Sequence, residues 1–157
     1  MHLDMVLNKN FRASTLIPIY TKAGITNKLN FLSYWKLKNN YLNVEMKLSF
    51  RDAKGQKFKE KHIKIDPKPK VYELSLEELM EKPILKIKDG FNSYVEIEVF
   101  FEREPLIKYP AIIYSLENEN YSSSVHSCLR TFNPSEKIPT YFKELNQTGF
   151  DSFFKKT

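Results

Sequence analysis

The sequence contains little of several residue types on which particular folds and sites depend. It has one cysteine, Cys128, so an internal disulfide is excluded. Its four glycines are scattered, which leaves no glycine-rich phosphate loop and no dinucleotide fingerprint. No stretch approaches the roughly 18 apolar residues that a membrane helix needs. Because the N-terminal residues also lack the pattern of a signal peptide, the sequence predicts a cytoplasmic protein without a membrane span.

Histidines are also few, with three in the whole sequence. His2, His62 and His126 lie far apart and have no suitably spaced carboxylates around them, so we expect no metal site and no cofactor. The net charge is +6, and lysine strongly outnumbers arginine. Proteins that read nucleic acids rely mostly on arginine, whose planar fork matches phosphates and guanine edges. The charge therefore favours compositional bias, and a nucleic-acid partner is not expected.

What the chain has in abundance is alternation of apolar and polar residues. Over residues 41–50 every second residue is apolar, from Leu42 to Phe50, which is typical of a strand with one buried face. The same period over residues 94–101 turns Val95 and Ile97 inward and places Glu96 and Glu98 on the solvent side. We interpret this carboxylate pair as part of a solvated face and not as the acid and base of a glycosidase.

Further strands and turns follow from similar signals. Residues 11–20 form a strand that Pro18 confines to an edge or an end. A strand over residues 29–38 leads through a tight hairpin at Asn39 and Asn40. Residues 52–56 form a turn, and residues 57–65 return with a bulge near Lys59 to Lys61, because their alternation changes phase there. The remaining strand predictions cover residues 84–88, 94–101, 111–116 and 121–132.

About eight strands with almost no helix predict an all-β fold, an antiparallel β-sandwich. It resembles immunoglobulin-like and jelly-roll sandwiches at the level of architecture. Ser75 and Glu78 form a capping box, which predicts one short helical crossover near residues 75–81. We expect a single domain over residues 1–157. Residues 134–157, with aromatic segments at 141–145 and 151–154, are predicted to be a peripheral tail that packs on the domain or on a partner.

The most chemically mixed segment is residues 121–133. On one strand face His126, Cys128 and Arg130 would form a row that can bind a carboxylate, a phosphate or sugar hydroxyls. The alternative is structural, with Cys128 as a small core residue and the two cations paired with Glu117 or Glu119 in the neighbouring turn. Nucleophilic catalysis by Cys128 and His126 is disfavoured, since side chains two apart on a strand run parallel.

Two other surfaces have candidate roles. Lys57, Lys59 and Lys61 would share one strand face, which either binds an anionic polymer or membrane surface or protects a sheet edge from aggregation. We favour the edge. Near the predicted hairpin, Trp35 is expected to anchor the core, whereas Tyr34 and Tyr41 are the candidates for stacking on a sugar.

These observations predict a non-catalytic ligand-binding or interaction module, with a protein, a glycan or an acidic group as its partner. The candidate ligand-binding residues are His126, Arg130, Cys128, Glu117, Glu119, Tyr34 and Tyr41. The alternative is a structural or assembly domain that forms oligomers or docks on a larger chain through the basic hairpin or the aromatic tail. An enzyme centred on His126 and Arg130 is the least favoured reading.

Overall fold

The computed structural model describes residues 11–66, 68, 71–81, 90–103, 111–128 and 130–131. It contains strands and two short helices in the order β1 (Arg12–Thr21), β2 (Thr26–Leu32), α1 (Tyr34–Asn39), β3 (Val44–Asp52), β4 (Lys57–Lys64), β5 (Val71–Ser75), α2 (Leu76–Met80), β6 (Gly90–Phe101), β7 (Ala111–Glu117), β8 (Ser122–Cys128) and β9 (Arg130–Thr131). The predictions for residues 84–88 and for the tail at 134–157 lie outside the described residues.

Two antiparallel sheets pack together, which confirms the predicted all-β sandwich. The five-stranded sheet has the order β4-β3-β6-β1-β9, and the four-stranded sheet has the order β5-β2-β7-β8. Each strand pair in the described part of the chain is antiparallel.

The alternating segments supply the core as predicted. Met46, Leu48 and Phe50 on β3 are fully buried, and β6 lies beside them with Val95, Ile97 and Val99 on the same inner face. Burying each such side chain stabilises the folded state by about 1.5–3 kcal/mol relative to leaving it exposed to water. From the opposite sheet, Leu29 and Ile112 close the core. Leu42, which was expected to share this face, precedes β3 and is exposed.

The predicted strand over residues 29–38 is wrong in its second half. After Leu32 the chain forms α1 and ends it at Asn40, whose φ of 52° is the left-handed conformation of a helix C-cap. Asn39 and Asn40 therefore make no hairpin, and α1 carries the chain from the four-stranded to the five-stranded sheet. The expectation for Trp35 is confirmed, because it is buried between Phe31 and Phe101, whose rings lie 6.0 and 6.1 Å away.

The phase change in β4 is real, but it lies just before the predicted position. The register runs from Phe50 opposite Lys59 to Arg51 opposite Lys57, so Phe58 is the extra residue. Its ring packs at the margin of the core, 6.4 Å from the ring of Phe50. The turn at residues 52–56 is confirmed, and the Asp52 carboxylate accepts the backbone amides of Lys54 and Gln56, each at 2.9 Å.

The helical crossover near residue 75 is also confirmed. The Ser75 side chain accepts the backbone amide of Glu78, which caps the first turn of α2. Beyond α2 the chain passes from β5 in the four-stranded sheet to β6 in the five-stranded sheet. Lys59 and Lys61 on β4 pair with Glu81 at the end of this helix and so link the two sheets along one side of the sandwich.

The buried side-chain amide of Asn27 holds together the elements around the loop between β1 and β2. Asn27 accepts the hydroxyl of Tyr114 and donates to the carbonyl oxygen of Tyr20 and to Glu77. Because burial disfavours the charged phenolate, the pKa of Tyr114 rises to about 12. This network joins β1, β2, β7 and α2 at one point.

Candidate functional site

β8 occupies the outer edge of the four-stranded sheet. Among the described residues it pairs with β7 alone, from Ser122 opposite Glu117 to Cys128 opposite Ala111. The side chains from Tyr121 to His126 are all exposed. Apart from His126 and Cys128 this strand has no titratable side chain, and it has no Asp, Glu, Lys or Arg. β8 is thus an edge strand of seven residues whose side chains carry almost no charge.

Several hydrogen bonds hold this edge in place. The hydroxyl groups of Ser124 and Ser115 are 2.9 Å apart, and Asn30 donates to Ser115 at 3.4 Å, so a polar ladder crosses three strands. At the other end of β8, the hydroxyl groups of Ser127 and Thr15 are 2.8 Å apart and join β8 to β1 of the opposite sheet. The edge is thus anchored to both sheets.

The backbone of β8 alternates between bonding β7 and facing outward. The amide of Asn118 donates to the carbonyl oxygen of Tyr121 at 3.0 Å, which makes these two residues a hydrogen-bonded pair. In an antiparallel ladder such pairs alternate along the strands. Ser123 and Val125 therefore bond to β7, whereas the amide and carbonyl groups of Ser122 and Ser124 point away from it.

The predicted row of three side chains is divided by the fold. His126 and Cys128 both lie on β8, and His126 is exposed opposite Ile113. Arg130 belongs to β9, which pairs with Ser14 in the other sheet. The expectation of one continuous strand face over residues 121–132 is therefore wrong for Arg130. The side chains of Cys128 and Arg130 lie outside the described residues, so their predicted roles stay predictions.

The neighbouring acidic residues have different environments. Glu117 forms an ion pair with Lys28 at 2.8 Å, and Glu73 engages the same lysine at 3.1 Å. These two carboxylates raise the pKa of Lys28. Glu119 is exposed in the turn between β7 and β8. The partner that the structure gives to Glu117 is therefore Lys28, and not one of the two cations to which the sequence-based alternative assigned it.

The aromatic candidates do not form an exposed platform. Tyr41 is only 2% exposed, and its ring lies 5.3 Å from that of Phe101, so the expectation of a surface position for Tyr41 is wrong. The reason is that the segment after α1 turns into the core instead of making a hairpin. Tyr34, the first residue of α1, is partly exposed.

The basic surface is also rearranged, because Phe58 shifts the register. Lys57 lies opposite Arg51 on the outer face, whereas Lys59 and Lys61 lie opposite the inward residues Phe50 and Leu48. The three lysines therefore do not share a face as predicted. Lys59 and Lys61 hold the pKa of Glu81 at about 2, and Lys57 together with His62 does the same for Glu60. Their charge is largely compensated, and β4 is an edge strand, as favoured from the sequence.

Glu96 and Glu98 are on the outer face as predicted, but they are not solvated. They are 9% and 3% exposed. Glu98 forms ion pairs with Arg12 and Lys47, and Glu96 forms one with Arg51 at 3.1 Å. Because their charges are taken up by cations from β1 and β3, this geometry favours a structural role.

The position of β8 at a sheet edge does not follow from the side chains of residues 121–132, because it depends on which strands pair with each other. The available signal was a contrast in charge, since the segment Lys57–Lys64 carries four lysines and the segment Ser122–Cys128 carries none.

In the described part of the chain, no group of three or more His, Cys, Asp or Glu side chains is placed to hold a metal ion. None of the helices described there has the length and apolar character to cross a membrane. Comparisons with protein-family models, with curated proteins and with solved structures found no match to this chain.

Proposed function

We propose that this domain is a non-catalytic interaction module that binds an extended polypeptide segment as an additional strand beside β8. The observation that carries the proposal is the contrast between β8 and the other sheet edges. Strand addition uses the unpaired amide and carbonyl groups of an edge for affinity, and neighbouring side chains for specificity. Ser122 and Ser124 would supply the backbone groups, and the exposed Val125 and Ile113 would supply apolar contacts.

The other edges have features that discourage pairing. β4 carries lysines and a bulge, both of which are common protections of an edge. β5 has only five residues. In the described residues β9 covers β1 only at Ala13 and Ser14, and the uncovered part contains Pro18, which cannot donate to a new strand. Within the part of the chain that the structure describes, β8 has none of these protections.

The test removes one outward amide. Peptides selected from a random display library against the wild-type protein would be measured against Ser124→Pro and Ser124→Ala. Proline is tolerated where the amide faces solvent, so both variants should keep the wild-type circular dichroism spectrum. We expect at least about tenfold weaker binding to Ser124→Pro, equivalent to the loss of about 1.4 kcal/mol, and unchanged binding to Ser124→Ala. Equal binding to both variants, or no selected peptide at all, would count against strand addition.

A small acidic group or a glycan is the second candidate ligand, favoured by the exposure of His126 on the outer face of the same sheet. A protonated imidazole can donate to a carboxylate or phosphate, and a neutral one can bond sugar hydroxyls. An anion and glycan binding screen would compare the wild type with His126→Ala and Arg130→Ala. Hits that bind both variants as they bind the wild type contradict this candidate.

A further inference from the structure

We infer that the segment bound beside β8 has a defined side-chain pattern, which is an apolar residue, any residue, a second apolar residue and then a lysine or arginine. The inference rests on the proposed strand addition and names the chemistry of its partner. The backbone of β8 sets the phase of this pattern. Because the amide and carbonyl groups of Ser122 and Ser124 point away from β7, an antiparallel partner forms hydrogen-bonded pairs with these two residues, about four bonds in all.

The direction of the added strand follows from the sheet. The described strand pairs of this sheet are all antiparallel, and antiparallel pairing is slightly more stable per residue than parallel pairing. Read from its N-terminus, the partner then has four successive residues opposite Val125, Ser124, Ser123 and Ser122. Because side chains alternate between the two faces of a sheet, the first and third of these positions face inward beside Val125, and the second and fourth face outward beside Ser124.

The inward positions of the partner are expected to be apolar. Val125 lies opposite Tyr114, a core residue, so its side chain is on the inner face of the sheet. It is nevertheless 58% exposed, whereas two residues further along Ser127 meets Thr15 of the opposite sheet. Leu116, two residues from Tyr114 on β7, is only partly buried at the margin of the core. Apolar side chains at the inward positions of the partner therefore remove from water an apolar surface that the described residues leave open.

The fourth position of the partner is expected to be basic, because it lies at an acidic end of β8. Ser122 is opposite Glu117, and Glu119 is exposed in the adjoining turn. Glu117 shares Lys28 with Glu73, so these three side chains together keep one negative charge. A residue opposite Ser122 lies two strand spacings from Glu117, about 10 Å, which two long side chains can bridge. Since the whole chain has a net charge of +6, a basic residue is favoured at this position and not on the surface in general.

Peptides selected from a random display library on the wild-type protein test the apolar positions. We expect the selected sequences to share the inferred pattern. Val125→Ser should weaken the binding of such a peptide at least about fivefold, and so should serine in place of the first apolar residue of the peptide, which leaves the protein unchanged. The matched control is Val71→Ser, since Val71 is an exposed valine on β5 at the opposite edge of the same sheet. It should bind as the wild type does.

An exchange of charges tests the basic position. A peptide with lysine at the fourth position would be compared with its glutamate derivative. On the wild type we expect the lysine form to bind at least about threefold more tightly. Glu119→Lys should bring this ratio to about one or invert it. Glu78→Lys changes the net charge equally at an exposed position on α2, so it should keep the wild-type ratio.

The outcomes separate the inferred pattern from strand addition itself. Selected peptides without the pattern, equal binding of Val125→Ser and Val71→Ser, or a ratio that Glu119→Lys leaves unchanged would each overturn the inference. A pattern in the reverse order, with the basic residue first, would indicate parallel addition and overturn the antiparallel direction. If such peptides still depend on the Ser124 amide, strand addition stands and only the pattern falls. If the library yields no binding peptide, both proposals fail.

Discussion

The two sheets of the sandwich differ in their edge strands and in the side chains on their outer faces. The five-stranded sheet ends at β4, whose lysines are paired with acids, and its outer face buries Glu96 and Glu98 in ion pairs. The four-stranded sheet ends at β8, whose side chains are mostly serine, and its outer face leaves Ile113 and Leu32 exposed. The four-stranded sheet also pairs Lys28 with Glu117 and Glu73, but beside these pairs it leaves apolar side chains exposed. This difference points to β8 as the interacting side.

The largest effect is expected from the outer face of the five-stranded sheet. Glu98→Gln removes the charge that compensates Arg12 and Lys47, and breaking a buried ion pair on one side commonly costs 3–5 kcal/mol. Because both cations retain some access to solvent, we expect the free energy of unfolding to fall by about 3 kcal/mol in urea denaturation.

Glu119→Gln is the matched control on the four-stranded side. Its carboxylate is exposed, so a change within about 0.5 kcal/mol is expected. If the two substitutions lower stability equally, the buried ion pairs of Glu98 contribute no more to stability than an exposed carboxylate in a turn.

A smaller effect should follow from removing the protection of β4. The double variant Lys59→Thr and Lys61→Val deletes the two pairs with Glu81 and gives this edge an uncharged surface. Because exposed ion pairs contribute little, we expect a nearly unchanged unfolding midpoint but new concentration-dependent association in light scattering. The control Lys57→Gln and Lys64→Gln keeps the inward lysines and should not associate. Absence of association in the double variant would show that these two lysines are not what protects the edge.

The smallest effect concerns pH. Glu60, and to a lesser degree Glu45, hydrogen-bond His62 and raise its pKa above 6.5 against the opposing effect of partial burial. A raised pKa in the folded state means that the stabilisation is full below the unfolded value of about 6.5 and is lost as the pH rises through the folded value. The wild type should therefore lose slightly more stability between pH 6 and 9 than His62→Gln. Lys64→Gln, on the same strand, should keep the wild-type dependence.

Local pattern was sufficient where one sheet face meets the core. The alternation of β3 and β6 and the cap at Ser75 could be predicted because each depends on neighbours in sequence. α1 could not, since a short apolar segment around Trp35 fits the helical period as well as the strand period. The burial of Glu98 depends on Arg12, which is 86 residues away along the chain. The division of residues 121–132 between two sheets likewise depends on β1, which no local pattern reveals.

Amide hydrogen exchange at single residues tests the central claim most directly, in the protein alone and in complex with a selected peptide. In the protein alone the amides of Ser123 and Val125, which bond to β7, should exchange slowly, and that of Ser124, which points away from β7, should exchange faster. In the complex we predict that the Ser124 amide slows by at least about tenfold while Ser123 and Val125 change little. Fast exchange at Ser124 in the complex would contradict the assignment of β8 as the interacting edge.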